Sequence, residues 1–228
     1  MPHPRFLSAL LLCLALCGAL PARAEAPRAF DGTDRFPVLT GSLLALTWMP
    51  EFCGEHSANP TLAARCAHLT QGFALHGLWP QSADPRPPAY CHAATPVPAP
   101  LMQSLRPAGL GPWLIQHEWD RHGTCSGLAM GDYFSRLAAW SARLRIPAAL
   151  RQPHAPLSVP AAEVKRWFAA ENPGLSPAMM ALACVGGKEE VRGLLLCLDA
   201  DGIHPRPCAA TLRGRCESDT VRFRPLDN

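Results

Sequence analysis

The chain is 228 residues long, 48% hydrophobic and 17% charged, enough for one domain with a sizeable core and too apolar for a chain disordered by composition. Its formal charge of +3 is too small to argue by itself for a nucleic-acid partner. Pro (25) and Gly (17) are frequent, which predicts a loop-rich fold.

The chain opens like an export signal. Arg5 precedes an apolar stretch over residues 6–20, too short to span a bilayer comfortably, and Ala22-Arg23-Ala24 fits a small-residue cleavage site. This predicts a signal peptide over residues 1–24, one domain over 25–228, and a periplasmic or secreted location. Cleavage would remove Arg5 and Arg23 and no acid, so the mature chain is nearer neutrality than the full one. Cys13 and Cys17 would leave with it, and Leu16 is larger than the residue that usually precedes a lipoprotein cysteine. No later segment reads as transmembrane.

The remaining cysteines are Cys53, Cys66, Cys91, Cys125, Cys184, Cys197, Cys208 and Cys216. An even count in an exported chain reads as four disulfides, whose connectivity the spacing leaves open. No C-x-x-C pair occurs, so redox and zinc-ribbon readings are weak.

In chain order, residues 25–36 read as a polar lead-in. Residues 41–48 fit a buried strand, Met49-Pro50 ends it, and residues 51–65 read as a loop. The apolar run over 72–76 predicts a second strand with His76 at its end, broken by Gly77 and Pro80. Residues 81–100 are a Pro-rich surface loop that can frame a substrate groove. A short helix over 101–110 is broken at Pro107.

A helix follows, with Pro112 in its first turn, where a missing N–H costs nothing, and Gly123 as its stop. Asp132 caps a helix over 133–145, in which Phe134, Leu137, Ala138 and Leu144 recur at helical spacing. Residues 146–160 form a Pro-rich connection and 161–170 a helix. Ser176-Pro177 opens another helix over 178–183. Residues 189–199 and 220–224 are strands, the second alternating Val221 and Phe223 with arginines. Strands at both ends with helices between predict an α+β fold, without repeats or a linker that would divide it.

The densest chemistry lies in His117-Glu118-Trp119-Asp120-Arg121-His122-Gly123-Thr124-Cys125. On a helix, His117 and Arg121 share one face and Glu118 and His122 another. Three readings compete. One is a solvated charged helix, although such runs are seldom rich in His and Trp. One is a zinc helix, but the zincin pair is spaced i, i+4 and His117 and His122 are spaced i, i+5. The third is a metal-free acid/base site, which needs a partner elsewhere. His76 in Phe73-Ala74-Leu75-His76-Gly77-Leu78-Trp79-Pro80 is the candidate partner, although a lone His after a strand is more often structural.

H-G-L-W-P followed some forty residues later by H-E-W-D-R-H-G-T-C resembles the two active-site segments of the ribonuclease T2 family. The resemblance is good over residues 43–125 and rests beyond them on cysteine spacing and element order. It implies a single-domain α+β fold with a central antiparallel sheet packed with helices. It also implies the disulfides Cys53–Cys66, Cys91–Cys125, Cys184–Cys216 and Cys197–Cys208.

RNA carries a 2′-OH beside each phosphate. Cleavage needs removal of that proton, protonation of the departing 5′-oxygen, and stabilisation of charge on phosphorus. Two imidazoles can serve as base and acid near neutral pH, and a fixed cation favours the added charge. The resemblance implies His76 as proton donor and His122 as base, although the two could be exchanged. It makes His117 a phosphate ligand, Glu118 and Arg121 stabilisers of the transition state, and Trp79 a base-stacking residue or a wall; a core role for Trp79 is equally open. No cofactor and no metal are implied. The substrate would be single-stranded RNA, cut to 2′,3′-cyclic phosphate ends that can be hydrolysed to 3′-phosphates, by a monomer without a membrane partner.

There are departures from the family pattern. Arg121 stands where Lys is usual, which keeps the charge but changes its geometry. Leu114 and Ile115 stand where aromatics are frequent. Gln81 replaces an acid that helps some relatives select a base, which predicts weak base specificity. His56, His68, His92, His154 and His204 read as structural or surface residues. The basic C-terminal end (Arg206, Arg213, Arg215, Arg222 and Arg224) reads more readily as a solvated face than as a phosphate-attracting patch. Two rivals remain: a catalytically weak binding or toxin-like protein on the same fold, and a metallohydrolase using the histidines as ligands.

Overall fold

The computed structural model describes residues 37–59, 66–67, 69–84, 86–212 and 214–226. The expected signal peptide and lead-in, together with His68 and Arg213, lie outside the described residues.

The ten-residue strand β1 (Leu39–Trp48) forms the middle of a four-stranded sheet with β2 (Phe73–Ser82), β5 (Val191–Leu198) and β4 (Met180–Cys184), in the order β2-β1-β5-β4. Every pairing in it is antiparallel. The apolar run of β1 is sided despite its uniform composition. Leu44, Leu46 and Trp48 enter the main core, whereas Leu43 and Ala45 join Leu195, Cys197 and Trp79 on the opposite face. Alternation along a strand requires this division, and both faces are covered.

Among the described residues, five α-helices pack around this sheet. They are α1 (Met49–Glu55), α2 (Ala99–Ser104), α3 (Pro112–Arg121), α4 (Met130–Arg143) and α5 (Ala161–Glu171). Phe134 and Leu137 of α4, Leu114 and Ile115 of α3, and Val164 and Phe168 of α5 enter the main core. Trp48 anchors it, edge-to-face with both Phe73 and Phe223 at 4.9 Å. A two-stranded sheet pairs β3 (Leu157–Pro160) with β6 (Thr220–Phe223).

Disulfides join Cys53 to Cys66, Cys91 to Cys125, Cys184 to Cys216 and Cys197 to Cys208. The architecture is the expected α+β fold, but several local expectations need correction.

Met49-Pro50 does not lead into a loop. It starts α1, with Pro50 in the first turn, where proline is tolerated. Gly77 and Pro80 do not break β2, which runs on to Ser82. Because β2 is an edge strand, Pro80 forfeits no central ladder bond. Helix α4 begins at Met130, so Asp132 lies in its first turn instead of capping it.

Residues 180–184 form β4, not a helix. The turn opened by Ser176-Pro177 lasts three residues, and pairing with β5 then overrides local helix propensity. The connection over 146–160 contains β3, whose partner lies sixty or more residues onward in β6.

Candidate active site

His76 sits at an irregularity in β2, not at its end. Ala45 pairs with Gly77 and Leu46 with Leu75, so His76 is the extra residue of a β-bulge. A bulge re-aims a side chain relative to the regular alternation. Here it turns His76 toward the face that carries Thr47, whose Oγ1 lies 2.7 Å from His76 Nδ1.

Helix α3 brings the second segment against this strand. Its Glu118 is fully buried, with Oε1 3.3 Å from His76 Nε2. The contact has ion-pair distance without hydrogen-bond alignment, and Oε1 has no hydrogen-bond partner among the described residues. The other oxygen, Oε2, accepts a 3.0 Å hydrogen bond from Trp79 Nε1–H. A Cβ at residue 77 would stand 1.6 Å from Oε2, so Gly77 is what lets this carboxylate approach β2.

His122 is the C-cap of α3, and its backbone N–H donates to the Glu118 carbonyl. Its ring stacks on Trp79 with centroids 5.3 Å apart, while His76 meets Trp79 edge-on at the same separation. Trp79 is thus a wall between two imidazoles, with one ring face occupied by His122. The structure assigns Gly123 a different task from the expected helix stop. Its φ is not left-handed, but a Cβ there would stand 2.2 Å from the Trp119 ring.

Burial strongly disfavours the charged form of His122, and the nearby positive charges of Arg121, His117 and His76 add to this. Its pKa therefore lies well below the ordinary 6.5. His122 Nδ1 is buried without a hydrogen-bond partner among the described residues. Burial also lowers His117, with Glu118 opposing and Arg121 reinforcing the shift.

His117 stacks almost parallel on the exposed Trp113, with centroids 5.1 Å apart. Leu114 and Ile115 are buried in the core, so neither offers an apolar face to a ligand. The Arg121 guanidinium lies 5.7 Å over the Tyr90 ring, within cation–π range.

The loop beneath that guanidinium is fastened to α3 and the turn after it. Tyr90 N–H donates to the Arg121 carbonyl, Cys91 N–H to Thr124 Oγ1, and Val97 N–H to Gln116 Oε1. Cys91–Cys125 closes the same junction. Tyr90 itself adopts a positive φ of 53°.

His76, Trp79, His117, Arg121 and His122 line one cleft of about 850 Å³, and Glu118 supports it from beneath. All six residues expected from the sequence are therefore gathered. Sequence reading missed Thr47, because the apolar run over residues 43–46 before it shows no alternation that would reveal which face it takes. It also missed Tyr90, which had no signal beyond its nearness to Cys91. Among the described residues, no group of three or more His, Cys, Asp or Glu side chains is placed to hold a metal ion.

A sequence profile of the ribonuclease T2 family matches residues 40–156. The chain belongs to the ribonuclease T2 family. Both histidine segments fall within the matched span.

A "Ribonuclease" of Aeromonas hydrophila is 41% identical over 92 residues, 40% of this chain and 39% of that protein. A "Probable ribonuclease" of Haemophilus influenzae is 30% identical over 117 residues, 46% of this chain and 43% of that protein. The alignments thus span about two-fifths of the length of these two relatives. "Ribonuclease 1" of Arabidopsis thaliana matches over 94% of this chain and 97% of its own length, at 23% identity.

Among solved structures, RNase NT in complex with 5′-AMP superposes with a TM-score of 0.64 at 20% identity, covering 82% of this chain and 98% of that one. Ribonuclease MC1 from bitter gourd seeds gives 0.60 at 20% identity, covering 81% and 98%. These structures share the T2 fold.

Proposed function

We propose that this T2-family protein is an exported endoribonuclease that cuts single-stranded RNA by transphosphorylation, without a metal. The observation that carries the reading is the pair of imidazoles, His76 and His122, held on either side of Trp79 in one cleft. Names and bound nucleotides of relatives add support: the solved RNase NT holds 5′-AMP. Four disulfides suit an oxidising compartment.

In this mechanism His122, kept neutral by burial, takes the proton from the 2′-OH as that oxygen attacks phosphorus. The bond from phosphorus to the 5′-oxygen breaks, and His76 delivers a proton to the departing oxygen. The products are a 2′,3′-cyclic phosphate and a 5′-OH. Water can then open the cyclic ester to a 3′-phosphate, with the two histidines exchanging roles.

Glu118 orients His76 and, through Trp79, the wall between the bases. His117 and Arg121 bind the phosphate, and the fixed positive charge of Arg121 stabilises the extra negative charge at phosphorus. DNA resists because it lacks the 2′-OH.

Base preference is weak in this reading. Gln81 lines the cleft, but its amide N–H group is turned onto the Trp79 and Pro80 carbonyls at 3.1 and 2.9 Å. Those donors are occupied before a base arrives. The protein acts as a monomer.

Incubation of the oxidised protein with a mixed-sequence RNA oligomer in excess EDTA, followed by mass spectrometry, tests the proposal. The expected fragments end in 2′,3′-cyclic phosphate, with cuts after all four bases. Cutting restored only by added zinc or magnesium would transfer the histidines to a metal site. Intact RNA under every condition would favour a binding protein on the T2 fold.

A further inference from the structure

The cleft extends well past the histidines. On the β1 side it is lined by Thr40, Ser42 and Leu43. Along that strand Thr47 holds His76, Ala45 and Leu43 follow on the face turned from the main core, and Gly41 lies beyond them. Gly41 has no side chain, and the space a Cβ would enter is occupied by Arg206, whose Nη2 would be 2.7 Å away. Arg206 lines this same cleft.

The segment that carries Arg206 is fixed to the sheet. Arg206 N–H donates to the Cys197 carbonyl, Pro205 bridges to Leu198, and Cys197–Cys208 clamps the next turn. The guanidinium, by contrast, is incompletely used. Its Nε is buried with no hydrogen-bond partner among the described residues, and its ion pair is a long one, 4.0 Å to the exposed Asp199. The other arginines whose pairing is seen at this end of the chain are committed: Arg222 to Glu189 and Glu190, and Arg224 to Glu51. Asp84, on another wall of the cleft, accepts from Arg86 N–H.

We propose that Arg206 binds a phosphate of the RNA strand other than the one being cut, forming a substrate subsite at the far end of the cleft. The inference rests on the ribonuclease reading for its substrate class. The register of β1 separates the two positions. Gly41 is four residues from Ala45, beside which His76 bulges, and at about 3.3 Å per residue this is roughly 13 Å. A phosphate at the histidines and a phosphate at Arg206 are thus different phosphates of one extended strand. Leu43, Leu195 and Leu212 between them offer an apolar surface to the intervening base.

The test is binding of an uncleavable single-stranded deoxyoligonucleotide of about ten nucleotides, followed by fluorescence anisotropy across a salt series. Arg206→Gln is expected to weaken binding about fivefold and to flatten the log–log salt slope by about 0.7, the contribution of one phosphate on a single strand. Arg206→Lys is expected to keep the slope, and melting curves of both variants establish that they fold.

Unchanged affinity in Arg206→Gln, or an unchanged slope, overturns the proposal. So does failure of the wild-type protein to bind the probe at low salt. Wild-type cleavage of RNA is scored separately, so an inactive protein that still loses affinity through Arg206 would sink the ribonuclease reading and leave the subsite standing.

Discussion

The carboxylate of Glu118 occupies the space that a side chain at residue 77 would fill. Gly77 and Glu118 are therefore one device. The glycine removes the obstacle, and the buried acid then reaches both His76 and Trp79. Gly77→Ala should force the carboxylate away from both. Overpacking of this kind costs about 1–3 kcal/mol of stability. Losing an oriented charged group at the reacting centre costs about 100-fold or more in kcat. Urea unfolding and RNA cleavage on one preparation check the pair. A folded Gly77→Ala variant with nearly full activity would remove Glu118 from the mechanism.

Thr47 acts on His76 from the other side. Its hydroxyl meets Nδ1 at 2.7 Å, which leaves Nε2, close to Glu118 but not hydrogen-bonded to it, as the nitrogen for the departing oxygen in the proposed mechanism. Thr47→Val keeps the shape and loses the hydrogen bond, a change of about 0.5–1.5 kcal/mol, or up to about tenfold in kcat. Thr47→Ser should recover most of the loss. The diagnostic readout is the pH profile of kcat, which should shift in Thr47→Val and return in Thr47→Ser. Equal losses without a shift would mark a packing effect only.

The parts of this site that were legible in the sequence share a cause. His76, His117, Glu118, Arg121 and His122 lie in two short segments rich in groups that ionise, and helical spacing alone places the last four on neighbouring rows. Thr47 was not legible because the apolar run over residues 43–46 does not alternate, so facing there is set by what packs on each side, not by the strand's own pattern. The bulge at His76 was hidden for a related reason: the register of β2 depends on β1. Residues 180–184 looked helical until β5 was there to pair with them, and β3 had no visible partner until the chain returned at β6.

The buried His122 predicts a pH dependence of stability. Its folded pKa lies well below the ordinary 6.5 that the unfolded chain restores. The unfolded state therefore binds the proton more readily. The favourable contribution is present above pH 6.5 and is lost as pH falls through 6.5 toward the folded value. His117, also lowered, adds in the same direction. Urea midpoints measured from pH 8 to pH 5 should fall, and His122→Gln should flatten the decline. A steeper decline in His122→Gln would contradict the burial argument.

Cys91–Cys125 joins the loop that carries Tyr90 to the turn that follows α3. The bond closes a separation of 34 residues, for which chain entropy suggests about 3–4 kcal/mol. Replacing both cysteines by Ala should lower stability by roughly that amount. The catalytic effect should exceed what the remaining folded fraction explains. Tyr90 underlies the Arg121 guanidinium, and its N–H is bonded to the Arg121 carbonyl, so release of the loop frees the cation proposed to bind the phosphate. The expected signature, measured where the variant is fully folded, is a raised KM that further loosening by Tyr90→Ala does not worsen. If the two changes multiply instead, the loop and the disulfide support the site independently, and Arg121 is not held through Tyr90.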